Sequence, residues 1–258
     1  MQPMHPQPTF NLLALDTSTD RLSLAVQCGG LVRHFEGHGG AQASATVVPA
    51  IVQLMAEVGL GFDALDAVVF GRGPGSFTGL RTACAVAQGL AFGARGGLGV
   101  PVLPIDTLAA IAEDARQQYG HTQVVVALDA RMNEVYSAAL QWQASSSDSA
   151  MGSWVCDGDF ALLAPEALTV PAGYALVGNA GAVYGQRLAQ GTPCADAWPT
   201  ATALLHLAPS LLQAGMAVEA RLALPLYIRD KVAQTTAERV ALQAVAHMGP
   251  SPAPEAQP

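Results

Sequence analysis

Lysine is almost missing from this 258-residue chain: eleven of its twelve cations are arginines, and Lys231 is the exception. Charged residues of either sign make up 12% of the sequence, and twenty acids against twelve bases leave a net charge of −8. No block of basic residues occurs. Such a chain does not hold nucleic acid by counterion release alone, so any contact with RNA has to be shared with a partner. The four cysteines, Cys28, Cys84, Cys156 and Cys194, are scattered without a Cys-x-x-Cys pair, which argues against a zinc or dithiol site. They read as buried small hydrophobes. No apolar run is long enough for a membrane helix. The most apolar stretch, 82–94, is bounded by Arg81 and Arg95, broken by Gln88, Gly89 and Gly93, and short of the roughly 20 residues a span requires. The polar, proline-rich residues 1–8 lack the features of a signal peptide, so the expected location is cytoplasmic.

What is present is apolar material: 51% hydrophobic residues and a mean hydropathy of +0.31. That excludes disorder as the main state. The length suits one large domain or two of roughly 100–130 residues. The two ends, 1–8 and 249–258, have disordered composition. Between them the sequence repeats itself. Phe10 to Asp16 (FNLLALD) is an apolar run ending in Asp, followed by a polar turn and an alternating run; Gln123 to Asp129 (QVVVALD) does the same. Both read as strand, tight turn, antiparallel strand.

The remainder of each half fits one plan. The first half continues with a strand over 31–36, a helix over 42–58, a strand over 67–70, a glycine loop, a helix over 78–94 and a short strand at 100–103. The second has strands within 153–163 and at 174–177 framing a helix at 182–189, then a helix over 201–214. The spacing Thr235-Thr236-Ala237-Glu238 is that of a capping box and predicts a short helix over 234–248. A hairpin plus a third strand and alternating helix–strand units predict mixed sheets with helices on their faces. The expected organisation is a duplicated α/β protein, lobes 9–119 and 120–233, with a cleft between them.

The glycine loop, Gly71-Arg72-Gly73-Pro74-Gly75-Ser76-Phe77-Thr78-Gly79, follows a strand and opens a helix, where backbone amides can receive an anion. It lacks the Gly-Lys-Ser/Thr of a Walker loop, and Ser76 and Thr78 stand where a dinucleotide fingerprint needs glycine. A tight turn with Ser76 or Thr78 as N-cap and a phosphate role both remain open. In the next helix Ala83, Ala87 and Ala91 recur every fourth residue. Such a row lets another element approach closely, either the sheet of the same chain or a helix of another.

The LALDTST opening, the GRGPGSFTGLR loop, the ALDARMNEVY segment and the closing Pro225-Leu226-Tyr227-Ile228-Arg229 together resemble the TsaB (YeaZ) family. That family is the dimerisation subunit of the bacterial machinery making N6-threonylcarbamoyladenosine (t6A) at tRNA position 37. The resemblance spans about 10–233. It implies the duplicated actin/sugar-kinase/Hsp70-like (ribonuclease H-like) fold and a non-catalytic paralogue of the transferase subunit TsaD. It also implies a TsaE-type ATPase as a further partner, a homodimer when the chain is alone, and tRNA met through the complex. The partner-binding residues implied are Val48, Ile51, Val52 and Met55 on the first helix and Thr78, Ala83, Ala87 and Ala91 on the second. Ala87→Trp is then expected to abolish partner binding while leaving the fold. Relatives often have His and Glu where this chain has Ala43 and Ala45.

Catalysis is tested residue by residue. The His-x-x-x-His metal pair of the transferase subunit falls on Pro104 and Leu108, neither a metal ligand. His34, Glu36 and His38 share a strand face, either as a weak surface metal site or as a solvated edge. Ser76 lacks a nucleophile context. Asp16 and Asp129 are the paired carboxylates of the two halves; with Gly73, Gly75 and Ser76 they mark the cleft. Each either serves nucleotide chemistry or caps its own turn. The expectation is no catalytic, metal or cofactor site, with ATP or ADP held at a partner interface at most. The rival reading is a metal-dependent peptidase or nucleotide phosphotransferase of the same superfold. A weaker alternative is a free-standing regulator with another apolar partner.

Overall fold

The apolar run before Asp16 is β1 (Leu12–Asp16), and all five of its residues are buried. It pairs antiparallel with β2 (Arg21–Cys28), which pairs with β3 (Leu31–His38). Helix α1 (Ala43–Glu57) leads to β4 (Ala67–Gly73), parallel to β1, then α2 (Phe77–Gly93), β5 (Val102–Asp106) and α3 (Thr107–Tyr119). The second sheet opens with β6 (Gln123–Asp129) and β7 (Val135–Ala144), followed by β8 (Gly152–Cys156), β9 (Ala161–Leu163), β10 (Ala175–Val177), α4 (Ala180–Tyr184) and β11 (Cys194–Ala195). Helix α5 (Ala201–Gln213) follows. The computed structural model describes residues 10–40, 43–144 and 152–229. Of these, the residues up to Ile228 form one compact unit. The termini 1–8 and 249–258 and the expected helix at 234–248 lie outside the described residues.

The strand orders are β3-β2-β1-β4-β5 and β11-β10-β6-β7-β8. In each sheet a central strand ending in Asp has an antiparallel hairpin partner on one side and a parallel strand on the other: β2 and β4 flank β1, β7 and β10 flank β6. That is the duplication seen in the sequence, an α/β fold of two lobes with mixed sheets.

Helices cover both faces of the first sheet, which is why β1 is apolar up to its closing Asp16 rather than alternating. Leu13, Leu15, Leu22 and Leu24 face α1 and α2 and pack with Val47, Ile51, Ala83, Ala87 and Ala91. Leu12, Ala14, Ala25 and Val69 face the other way and pack with Leu204, Leu205 and Ala208 of α5.

Besides the unexpected β11 and the extension of β4 to Gly73, the observed elements differ from the expected ones in four places. The short strand begins at Val102 rather than 100 and runs directly into α3, a helix absent from the reading above; its buried stripe is Leu108, Ile111, Ala112 and Ala115. The helix expected at 182–189 is the five-residue α4, ended at Gly185, and the chain then turns left-handed at Ala189 and Gln190. The strand region 153–163 is two strands, both paired with β7. Finally, the described residues of 120–233 do not all stay with the second sheet. Helix α5 returns to the first sheet, where its Leu and Ala face covers the side that α1 and α2 leave bare.

Candidate functional site

The glycines from the end of β4 to the first turn of α2 are set by close approach of the β1–β2 turn. A Cβ on Gly71 would lie 1.8 Å from Asp16 Oδ2, one on Gly75 2.6 Å from the carbonyl oxygen of Ser18, and one on Gly79 1.8 Å from that of Thr17. Gly73 adopts φ +122°, where side chains are strained. Thr17 Oγ1 donates to the Gly79 carbonyl at 2.6 Å, and the Ser76 amide donates to the Ser18 carbonyl at 2.7 Å. The Gly73 amide donates to Thr107 Oγ1 at 3.1 Å. Ser76 is the N-cap of α2, accepting from the Gly79 amide at 3.5 Å. Three amides that could have met an anion are thus directed at the protein's own oxygens. The loop is a packing joint between the β1–β2 turn and the second helix, with Ser76 as that helix's N-cap.

Asp16 and Asp129 each accept a bond from the amide two residues on: Ser18 N at 2.8 Å and Arg131 N at 2.9 Å. Ser18 Oγ adds a second bond to Asp16 Oδ1, while Asp16 Oδ2 is buried without a hydrogen-bond partner. Burial pushes the Asp16 carboxyl up to about 7, against the bonds from Ser18. Asp129 is further engaged by Tyr184 Oη at 2.8 Å and by Arg131 Nε at 3.4 Å. Burial and the Asp129 bond push the Tyr184 phenol up to about 12. Arg131 also reaches across to Asp20 of the first lobe, at 3.9 Å. The turn carrying Arg131, Met132 and Asn133 holds all three at positive φ. The carboxylates paired by the sequence therefore have different surroundings, one enclosed and one bridged by an arginine. Asp20, Arg131 and Tyr184 escaped the sequence reading; the neighbourhood of Arg131 to Asp129 was visible, the partners contributed by distant segments were not.

His34, Glu36 and His38 line an open cleft with Asp20, Asp114, Asp196 and Trp198. Among the described residues no three His, Cys, Asp or Glu side chains are grouped so as to hold a metal ion. Arg21 stacks on Trp198 at 3.5 Å in the same cleft. Pro104 is partly buried in β5, and Leu108 is wholly buried in the second lobe's core.

The residues expected to bind a partner divide into two sets. Ile51, Met55, Ala83, Ala87 and Ala91 are buried against the first sheet and offer nothing to another chain. The alanine row is what lets α2 sit low on β1 and β4, so the expectation for Ala87→Trp is also corrected: that substitution strikes the core. Val48, at 44% exposed, Val52, at 51%, and Thr78 point outward. The outer faces also present Ala45, Ala56, Ala85, Gly89 and Phe92. In the fifteen residues of α1 the one charge is Glu57, and in the seventeen of α2 it is Arg81. Sequence periodicity marked the apolar stripe but not which side of it faced out, because both faces of these helices are apolar. Among the described residues no helix is long and apolar enough to cross a membrane.

The closing Pro225-Leu226-Tyr227 segment straps this region. The Ala223 carbonyl accepts from Gln88 Nε2 at 2.9 Å, the Leu226 amide donates to the Arg72 carbonyl at 2.7 Å, and Arg81 Nε donates to Tyr227 Oη at 3.2 Å. Phe77 and Tyr227 stack with centroids 5.2 Å apart.

Comparison with known proteins bears on this arrangement. The family model described as "TsaD: tRNA N6-adenosine threonylcarbamoyltransferase" matches residues 41–237. The tRNA threonylcarbamoyladenosine biosynthesis protein TsaB of Escherichia coli is 31% identical over 231 residues, covering 87% of this chain and 96% of that one. Its namesake from Haemophilus influenzae is 46% identical over 127 residues, 49% of this chain and 52% of that one. The solved structure of YeaZ from Pseudomonas aeruginosa, 38% identical, superposes with a TM-score of 0.74 over 85% of this chain and the whole of that one.

Proposed function

The chain belongs to the TsaB (YeaZ) family, and from that premise we propose that it is a non-catalytic subunit needed for t6A formation at A37 of tRNA, binding and activating the TsaD transferase subunit. The observation that carries this reading is the outer face of α1 and α2, in which Val48, Val52, Ala85, Gly89 and Phe92 form a surface nearly free of charge. Exposed apolar faces of this kind are covered in assemblies. The same face pairs two copies when the partner is absent, since a self-complementary apolar patch closes a twofold dimer. A TsaE-type ATPase joins the complex, tRNA is met through it, and the site of action is the cytoplasm.

The reading has no resident cofactor; ATP or ADP enters at most at the partner interface, where another chain supplies half the site. Mass spectrometry of tRNA nucleosides after depletion of the protein in its host tests this. The expected result is loss of t6A, restored by the wild-type gene and not by a Val52→Arg gene. Unchanged t6A after verified depletion overturns the reading. So does reconstitution in which the isolated chain binds stoichiometric metal or shifts its melting temperature with Mg-ATP.

A further inference from the structure

A crevice of about 260 Å³, lined from β5, α3, β8 and α5, lies apart from the α1–α2 face. It is smaller than the ~300–1,000 Å³ typical of sites for drug-sized ligands, which fits a small metabolite. Ile105, Ala109, Trp154, Leu207, Leu211 and Val218 give it apolar walls. Set in those walls are one cation, one anion and one hydroxyl: Arg72, Asp106 and Ser153.

Arg72 Nε holds Asp106 Oδ1 at 2.6 Å. Among the described residues this is the sole side-chain bond of either group, so both Nη atoms of Arg72 and Oδ2 of Asp106 remain unspent. Asp106 also stands at the N-cap of α3, where a carboxylate ordinarily accepts from a first-turn amide, yet it makes no cap bond. Its carboxylate has been turned from the helix toward Arg72 and the crevice. Both side chains are partly exposed, at 39% and 29%, and a pair of that kind adds little to stability.

The charges select the occupant. A simple anion on Arg72 would sit beside the Asp106 carboxylate, and a simple cation on Asp106 beside the guanidinium. A molecule with an acid and an ammonium on neighbouring atoms satisfies both. We propose that the crevice binds a free α-amino acid with an apolar side chain. Its carboxylate is held by Arg72, its ammonium by Asp106 and the Ser153 hydroxyl, and its side chain by the Leu207, Leu211 and Trp154 walls. This site does not depend on the partner-binding role above.

Three tryptophans give three indole N–H resonances, and that of Trp154 reports on the crevice. The experiment is an NMR titration of the full chain with L-leucine and L-methionine. Two truncated analogues accompany them: 4-methylpentanoate, without the ammonium, and isoamylamine, without the carboxylate. The expected result is a saturable shift at Trp154, not at Trp198, with half-saturation on the order of 1 mM or below. Either truncation, or Arg72→Met, weakens it at least tenfold. Absence of a saturable shift below about 20 mM overturns the proposal, as does equal binding of the truncated analogues, which would mark a plain apolar hole. The truncated analogues decide the matter on the wild-type protein even if Arg72→Met fails to fold.

Discussion

The carboxylate of Asp16 occupies the space that a side chain on Gly71 would need: a Cβ there would stand 1.8 Å from Oδ2. Strand β1 runs parallel to β4, and the turn that follows Asp16 lies in the glycine loop. Gly71→Ala is therefore expected to destabilise the protein by about 1–3 kcal/mol, as overpacking against a carboxylate held in place by Ser18 does. Gly89→Ala, where a Cβ meets nothing within 4 Å, is the control, expected to be neutral or slightly stabilising. Urea denaturation of both variants checks the contrast.

Asp16 itself carries a pH signature. Its carboxyl, ordinarily near 3.8, is pushed up to about 7 by burial, so between those values the folded state holds a proton that the unfolded state has released. The stabilisation is fully present below about pH 4 and is lost as pH rises through 7. Asp16→Asn keeps an acceptor for Ser18 and removes the ionisation. The melting temperature of the variant relative to wild type is expected to climb between pH 4 and 7 and level off above. A flat difference would mean that Asp16 is ionised in the folded protein throughout.

On α2, positions two residues apart should behave oppositely. Ala87 is fully buried on the sheet, and Ala87→Trp is expected to cost at least 1–3 kcal/mol of stability. Ala85 is exposed, and Ala85→Trp should change stability by less than about 0.5 kcal/mol while weakening partner binding and self-association more than tenfold. Thermal melts with sedimentation analysis separate the two effects.

Glu113 of α3 is a fully buried acid held by Arg116 at 2.8 and 2.9 Å, by Gln117 at 2.7 Å and by the Trp154 indole at 3.2 Å. It joins α3 to β8, and Arg116 stacks on Trp142 at 4.0 Å. Removing one partner of such a group costs about 3–5 kcal/mol, so Glu113→Ala is expected to unfold in markedly less urea, with tryptophan fluorescence as the readout. Glu113→Gln should retain part of the loss.

Much of this was legible in the chain. The matched LALD and VALD runs announced the duplicated hairpins, because period and punctuation are local properties that survive in any packing. The small-residue row in α2 was equally visible, and its meaning was not. An alanine stripe permits close approach without saying to what, and the decision that the sheet and not another chain lies beneath it belongs to packing across β1 and β4. Helix α3 was missed because its buried face is mostly short side chains among polar neighbours, a weak periodic signal.

The sequence by itself determined the number of sheets, the place of the turns, the lack of a Walker or dinucleotide loop, and the family. Local composition, glycine placement and the spacing of apolar residues are enough for the first three, and the family came from the resemblance of four motifs. Tertiary structure alone decided three things: that the loop glycines admit a neighbouring turn, that α5 crosses back to the first sheet, and that Arg72 and Asp106 meet at the wall of a crevice. Each depends on residues 34 or more positions apart, or on elements from opposite ends of the chain, brought together by burial of apolar faces that carry no address in the sequence.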